Sequence, residues 1–339
     1  MVLSQFYIDF YQGFLRFMLK VYFLGSGPIA VPVLKKLLEQ SRAGLLDLAG
    51  IGTQPDRPAG RKRQLMPTPV GAFAAENDLE IDKYASLNDG TAQAKLEAIA
   101  PDFVVVVSYG QLLKKPLLEL PKYGCVNIHA SLLPRYRGAS PIMHAIADMQ
   151  SSTGVCFMDM EIGLDSGKVY KTIEYPLNGT EYADTLEIKL GEIAAEDTLQ
   201  VLEGIASGAL TGTPQDPELV TMTTKIKKSD GIIDWSKPAE VIEASVRACT
   251  PWPGAVFSLE INGEVKTLTL TRAEIVENDL NAEPGTIIQA DRKGWVTACG
   301  SKALKLVEVL PQGKKPMRGS DYLNGCRESL AGAKMLAGK

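Results

Sequence analysis

Asn127 and His129 stand two residues apart in Val126-Asn127-Ile128-His129-Ala130-Ser131-Leu132-Leu133-Pro134, and Asp165 follows in Gly163-Leu164-Asp165-Ser166-Gly167. An amide, an imidazole and a carboxylate suit acyl or formyl transfer, where a developing oxyanion needs donors and protons must move between attacking and leaving groups. The chain has two histidines, His129 and His144, so imidazole chemistry falls to one of them, and His129 has the polar company. Each residue taken singly has a bland explanation. An Asn can satisfy backbone groups at a strand end, a His can hydrogen-bond at a sheet edge, and Gly-Leu-Asp-Ser-Gly makes a natural turn. Together they require three coincidences to deliver one constellation.

Such a trio has to be held by elements, and the first half of the chain supplies an alternation of strands and helices. Val21–Leu24 reads as a strand, Gly25-Ser26-Gly27-Pro28 as a turn, and Ala30–Glu39 as an amphipathic helix. Leu46–Ile51 and the solid β-branched run Phe103–Val107 continue as strands, with helical patterns over Val70–Asn77 and Thr91–Ile99. A mostly parallel, Rossmann-like sheet follows. Sheets of this kind bind ligands beyond the C-terminal strand ends, where Ser108-Tyr109-Gly110 and Asn127 to His129 fall if Val104–Val107 and Val126–Ile128 are strands. Val155–Met160 and Lys168–Tyr175 read as a strand pair bridged by the Asp165 loop, and Tyr182–Ile205 as a long helix. The turn Gly25-Ser26-Gly27 is half of a dinucleotide fingerprint. It lacks the third glycine, and Thr53-Gln54 replace an acidic residue after the second strand, which disfavours a nicotinamide or flavin site.

Ser207, Gly208, Gly212, Pro214 and Pro217 mark a linker, so a boundary belongs there. Beyond it, a helix over Pro238–Cys249 precedes short β-type runs at Val256–Ile261, Val265–Thr271, Gly285–Gln289, Trp295–Ala298 and Leu304–Val309. Such spacing suggests a small OB-like β-barrel. Charge divides along the same line: residues 1–220 carry 19 Lys and Arg against 26 Asp and Glu, and residues 221–339 carry 17 against 14. A mildly basic second domain on an acidic chain points weakly to a polyanionic partner. The segment Thr53 to Pro69 is a stronger pointer, with four prolines and four cations, Arg57, Arg61, Lys62 and Arg63, against Asp56 alone. It reads as a proline-stiffened basic loop, neither helix nor strand, whose arginine forks match phosphate oxygens.

The five cysteines are scattered with no CxxC pair, which favours reduced buried thiols over a zinc site or a disulfide framework; no metal is expected. Residues 1–17 are apolar and aromatic but too short for a membrane span, and they lack a basic leader region and a cleavage site. They read as an extension before a domain start at Met18, or as a misassigned start.

The motifs NIHASLLP with RYRGASPI, GLDSG, TQPDRPAGR and the TPWPGA around Trp252 together resemble the methionyl-tRNA formyltransferases, and the likeness runs from about Met18 into the C-terminal region. The Asn, His and SLLP elements alone would indicate only the wider folate-dependent formyltransferases, which also act on amino sugars and nucleotides. The resemblance implies a formyltransferase domain over 18–206, a linker over 207–222 and an OB-like tRNA-binding domain over 223–330. It implies 10-formyltetrahydrofolate as donor, initiator methionyl-tRNA as acceptor, and a cytoplasmic, monomeric enzyme without membrane contact. Asn127, His129 and Asp165 become the catalytic set, Ser131, Leu132, Leu133 and Pro134 the folate-contacting segment, and Arg57, Arg61, Lys62 and Arg63 the tRNA-gripping loop. Two rivals from other classes stay open: a nucleotide-dependent oxidoreductase, and a noncatalytic RNA-binding protein with a decayed enzyme domain.

Overall fold

The structure is a computed structural model that describes residues 18–59, 64–261, 263–326, 330 and 333–336. Residues 1–17 and residues 60–63, which include Arg61, Lys62 and Arg63, lie outside the described residues. The chain packs as two compact units that are discontinuous in sequence: residues up to 128 with 157–162 and 194–213, and residues 129–156, 163–193 and from 214 onward.

The first unit holds β1 (Lys20–Gly25), α1 (Ala30–Arg42), β2 (Asp47–Thr53), β3 (Arg57–Ala59), β4 (Gln64–Met66), α2 (Pro69–Glu76), β5 (Asp82–Lys83), α3 (Thr91–Ile99), β6 (Phe103–Val107) and α4 (Lys115–Leu118), and most of β7 (Cys125–His129). Strands β5, β2, β1, β6 and β7 lie side by side in that order, and every neighbouring pair is parallel. All five residues of β6 are buried, which is why a run of Val without polar alternation forms a strand here. Helix α1 buries Ala30, Val33, Leu34, Leu37 and Leu38, one stripe at helical spacing. The glycine turn before it is structural: a Cβ on Gly25 would meet the Phe23 ring at 2.5 Å. Ser26 Oγ accepts from Gln54 N at 3.2 Å, tying that turn to the end of β2.

The basic segment is not irregular throughout. Its legs β3 and β4 pair antiparallel, Arg57 opposite Met66 and Pro58 opposite Leu65. Proline is tolerated because a two-stranded ribbon has free edges on both sides, where its missing N–H breaks no ladder bond. The root of the ribbon is held by an Asp56–Lys83 ion pair at 2.7 Å and by the Thr53 and Thr68 hydroxyls, 2.7 Å apart. Thr68 also caps α2, its hydroxyl accepting from Gly71 N at 2.9 Å with Pro69 in the first turn.

The second unit continues from the end of β7 through β8 (Arg137–Gly138), α5 (Pro141–Ala147), part of β9 (Ser152–Asp159) and β10 (Val169–Pro176). The full sheet order is β10-β9-β7-β6-β1-β2-β5. Helix α6 (Ala183–Ala206) buries Leu186, Leu190, Ala194, Leu199 and Leu202 along one face. After it come β11 (Met222–Thr223), α7 (Ala239–Cys249), β12 (Ala255–Ile261), β13 (Glu264–Val276), β14 (Ile287–Asp291), β15 (Gly294–Ala298), β16 (Ala303–Pro311), β17 (Met317–Arg318), α8 (Gly319–Asn324) and β18 (Met335–Leu336).

Strands β14-β15-β16-β13-β12-β18 form an antiparallel sheet, with β17 added beside β16. Short as it is, β18 closes the curl. It pairs with β12 through Leu259 and Met335, while Met335 N donates to Gly285 O at 2.7 Å and Ile287 N to Ala333 O at 2.8 Å, beside the start of β14. Trp235, Phe257, Trp295 and Tyr322 stack in series inside, with centroids 5.9, 5.7 and 5.8 Å apart and the first two pairs edge to face. Cys125, Cys156, Cys249 and Cys299 are buried free thiols and Cys326 is half-buried. Among the described residues, no helix is long and apolar enough to cross a membrane.

Candidate active site

Strand β7 carries Asn127 and His129, which share a face because they are two residues apart. Among the described residues the Asn127 carboxamide makes no hydrogen bond, so both its donors remain available. His129 is 7 % exposed, and its Nε2 lies 2.9 Å from the Tyr136 carbonyl oxygen. A carbonyl can only accept, so Nε2 is the nitrogen that carries the proton and donates. Nδ1 is left facing the Asp165 carboxylate, 3.8 Å from Oδ2. That distance lies within reach of a charge–charge contact and is longer than a formed hydrogen bond.

Asp165 sits in the loop between β9 and β10, with a left-handed backbone at φ 49°. Asp tolerates that conformation better than most side chains, though a non-glycine residue held there stores strain. Its Oδ2 accepts from Gly138 N at 2.7 Å, so a backbone N–H aims the carboxylate. Gly138 itself has φ 107°, and a Cβ there would meet Thr223 O at 2.4 Å. Only glycine fits.

That closeness comes from a clasp that the sequence does not announce. Strands β8 and β11 pair in parallel, Arg137 opposite Met222 and Gly138 opposite Thr223. Tyr136 N donates to Thr221 Oγ1 at 2.8 Å, Arg137 N to Thr221 O at 2.9 Å, and Thr223 Oγ1 to Arg137 O at 3.1 Å. Further back, Gln215 Nε2 donates to Asp165 O at 2.9 Å and Gly167 O at 2.7 Å, while its Oε1 accepts from Arg137 Nε at 2.9 Å. The second histidine belongs to the same clasp: His144 Nε2 donates to Thr224 O at 3.1 Å. Within the expected linker over 207–222, Gln215, Thr221 and Met222 thus help to hold the Asp165 loop. No periodicity signals a two-residue parallel pairing or a lone Gln between exposed neighbours, so Gln215 and Thr221 have no signature in sequence.

The SLLP segment forms a tight turn after β7. Ser131 is fully buried, its hydroxyl donating to Arg135 O at 2.7 Å, and Arg135 N donates to Leu132 O at 3.1 Å across a cis Leu133–Pro134 peptide. Leu132, Leu133 and Pro134 are half-buried, leaving apolar surface beside turn backbone. Of the four basic loop residues, Arg57 is exposed on β3 and donates through Nη2 to Gln54 Oε1; Gln54 in turn donates to Tyr109 O. Among the described residues no group of three or more His, Cys, Asp or Glu side chains could hold a metal ion.

Comparison with known proteins adds the family. Residues 19–202 match the formyl transferase family model, and residues 225–327 match that of the formyl transferase C-terminal domain. A methionyl-tRNA formyltransferase of Pseudomonas fluorescens Pf-5 is 40 % identical over 314 residues, covering 92 % of this chain and 95 % of its own. One of Pseudomonas putida GB-1 is 38 % identical, covering 94 % and 99 %. In fold, the chain is similar to HypX from Aquifex aeolicus in complex with tetrahydrofolic acid, with a TM-score of 0.61 at 16 % identity, over 91 % of this chain and 47 % of that one. It is also similar to the methionyl-tRNA formyltransferase from Clostridium thermocellum, with a TM-score of 0.52 at 15 % identity, over 76 % and 94 %. The chain belongs to the methionyl-tRNA formyltransferase family, enzymes that place a formyl group on the methionine of a charged tRNA.

Proposed function

We propose that formyl transfer here runs from 10-formyltetrahydrofolate to the α-amine of methionine on initiator tRNA, with Asn127, His129 and Asp165 as the catalytic set. The observation that carries this reading is the disposition of His129: Nε2 is committed to the Tyr136 carbonyl, and Nδ1 faces the Asp165 carboxylate at 3.8 Å. Proton traffic through the ring therefore uses Nδ1. The unbonded Asn127 carboxamide donates to the formyl oxygen as it gains negative charge, an effect of about 2.7 to 4 kcal/mol for a well-placed donor.

The donor brings a formyl group attached to a nitrogen that must leave, and the residues around β7 handle the rest. A peptide α-amine has a pKa of about 7.7 to 8.0, which an ester neighbour lowers, so much of the nucleophile is neutral at physiological pH. The new bond joins that amine to the formyl carbon, the bond to the donor nitrogen breaks, and one proton passes from the amine to the leaving nitrogen. His129 Nδ1 and Asp165 are the groups on hand to carry it. The half-buried Leu132, Leu133 and Pro134 suit a flat ring with a polar edge, with Ser131 shaping the turn beneath them.

The ribbon of β3 and β4, with Arg57 at its base and Arg61, Lys62 and Arg63 in the connection, grips the acceptor-end phosphates of the tRNA. Along the sequence the domains divide at 18–206, 207–222 and 223–330, a division supported by the two family matches over 19–202 and 225–327, while the compact units cross it, with 129–156 and 163–193 packing with the chain from 214. The enzyme acts in the cytoplasm as a monomer, which light scattering at micromolar concentration tests. An amino sugar or nucleotide acceptor has only the shared fold in its favour, whereas the whole-chain similarity at 40 % identity is to tRNA enzymes. The deciding experiment incubates the protein with 10-formyltetrahydrofolate and charged initiator tRNA. Formylmethionine is the expected product, and its absence alongside formylation of an amino-sugar nucleotide would reverse the choice of acceptor.

A further inference from the structure

We infer that Gln215, in the segment following α6, is a positioning residue for Asp165, so that this segment is a working part of the catalytic centre. The inference rests on Asp165 belonging to the catalytic set. Gln215 is half-buried while its neighbours Pro214 and Asp216 are exposed, and its side-chain amide makes three hydrogen bonds. Two are donated, to the carbonyls of Asp165 and Gly167; one is accepted, from Arg137 Nε. Arg137 is followed by Gly138, whose N–H holds the Asp165 carboxylate at 2.7 Å.

The bonds close a circuit. From the Asp165 carbonyl it runs through the Gln215 amide to the Arg137 side chain, along the backbone to Gly138 N, and back to the Asp165 carboxylate. Gln215 thus fixes the Asp165 backbone and the donor strand relative to each other, and with them the 3.8 Å gap to His129 Nδ1. The left-handed backbone of Asp165 makes such a tie necessary, since a residue at φ 49° relaxes toward commoner conformations unless its surroundings hold it. Among the described residues, Gln215 supplies the side-chain donor to the Asp165 carbonyl.

The two halves of the amide make the idea testable. Gln215→Glu is nearly isosteric and still accepts from Arg137, but it donates to neither carbonyl. If holding Asp165 is the function, Gln215→Ala and Gln215→Glu each lower kcat for methionyl-tRNA formylation by about 10- to 100-fold, leave both KM values within twofold, and alter the pH dependence of kcat. Because the residue acts through Asp165, Gln215→Glu placed on Asp165→Asn removes less than a further threefold. Wild-type kcat in Gln215→Glu, or a loss in the double variant equal to the product of the two single losses, overturns the proposal. If Gln215→Ala does not fold, the glutamate variant and the double-variant cycle decide alone. Wild-type turnover in Asp165→Asn by itself would instead sink the catalytic set, a result separate from any failure at Gln215.

Discussion

Replacing Asp165 with Asn is the sharpest test of the site, because it removes one charge and little else. The carboxamide oxygen can still accept from Gly138 N, now at 2.7 Å from Oδ2, so the loop keeps its anchor. What disappears is the attraction between the carboxylate and the positive charge that the ring gains when Nδ1, 3.8 Å away, takes up the proton in transit. With the dielectric of bulk water that attraction is about 1.1 kcal/mol, and with an effective value near 20 it is about 4.4 kcal/mol. The two side chains are 7 % and 15 % exposed, which places the pair toward the second figure. A barrier raised by these amounts slows turnover by about 6-fold and about 10³-fold respectively. Asp165→Asn should therefore lower kcat by about 10²- to 10³-fold in an initial-rate formylation assay with both substrates saturating. Its thermal midpoint should stay within a few degrees of the parent, showing that the loop survives. A kcat within threefold of the parent, in a protein with an unchanged melt, corresponds to less than about 0.7 kcal/mol. That is below even the fully solvated estimate and would refute the claim that Asp165 supports the charge His129 gains during proton transfer.

Other outcomes follow from the same geometry. Asn127→Ala should lower kcat by about 10²- to 10³-fold with little change in KM for the donor, measured by steady-state kinetics, since the deleted amide serves the charge that develops during reaction. Neutralising Arg57, Arg61, Lys62 and Arg63 together should reduce the slope of log affinity against log salt for tRNA by roughly 0.7 to 0.9 for each phosphate that is no longer neutralised; an unchanged slope in filter binding would clear the ribbon of that role. Gly138→Ala should be both less stable and less active, because its Cβ would lie 2.4 Å from Thr223 O at φ 107°, and urea melts should register a loss of at least about 1 kcal/mol. Burial pushes the thiols of Cys125 and Cys299 up to about 12 and that of Cys249 to about 11, above the ordinary value of about 8.5 that they regain on unfolding. A group whose pKa is raised in the folded state contributes stability below its unfolded pKa and loses it as pH climbs toward the folded one. Urea stability should accordingly fall between about pH 8.5 and pH 12, and less steeply in Cys125→Ala; an identical slope in that variant would contradict the assignment.

The sequence announces elements whose burial pattern is local. Phe103–Val107 is legible as a strand because all five residues are buried, and α6 because its apolar residues recur at helical spacing. The motif around Asn127 and His129 is legible because the scarcity of histidine leaves few readings of it. What stays hidden is set by partners far along the chain. Nothing local in Arg137 and Gly138 says that Met222 and Thr223 will lie beside them, and nothing in Met335 and Leu336 says that they close a barrel. Pro58 misdirects outright: it argues against a strand, and a two-stranded ribbon is the setting in which that argument lapses. At the site, Asp165 is readable as a residue type. The orientation of its carboxylate depends on Gly138 N and Gln215, two groups that carry no chemistry of their own.

The closure by β18 has a consequence for how the chain is made. N-terminal regions fold first during synthesis, and strands β5, β2, β1, β6 and β7 draw on residues that emerge early. The barrel cannot follow that timetable: β12 and the start of β14 wait for residues 333–336, which the ribosome adds long after both. Throughout that interval two strand edges stand open on a nascent chain that already carries much of its enzyme half. Any pause in translation before residue 333 would prolong the exposure, which makes β18 a point of vulnerability for aggregation rather than for catalysis.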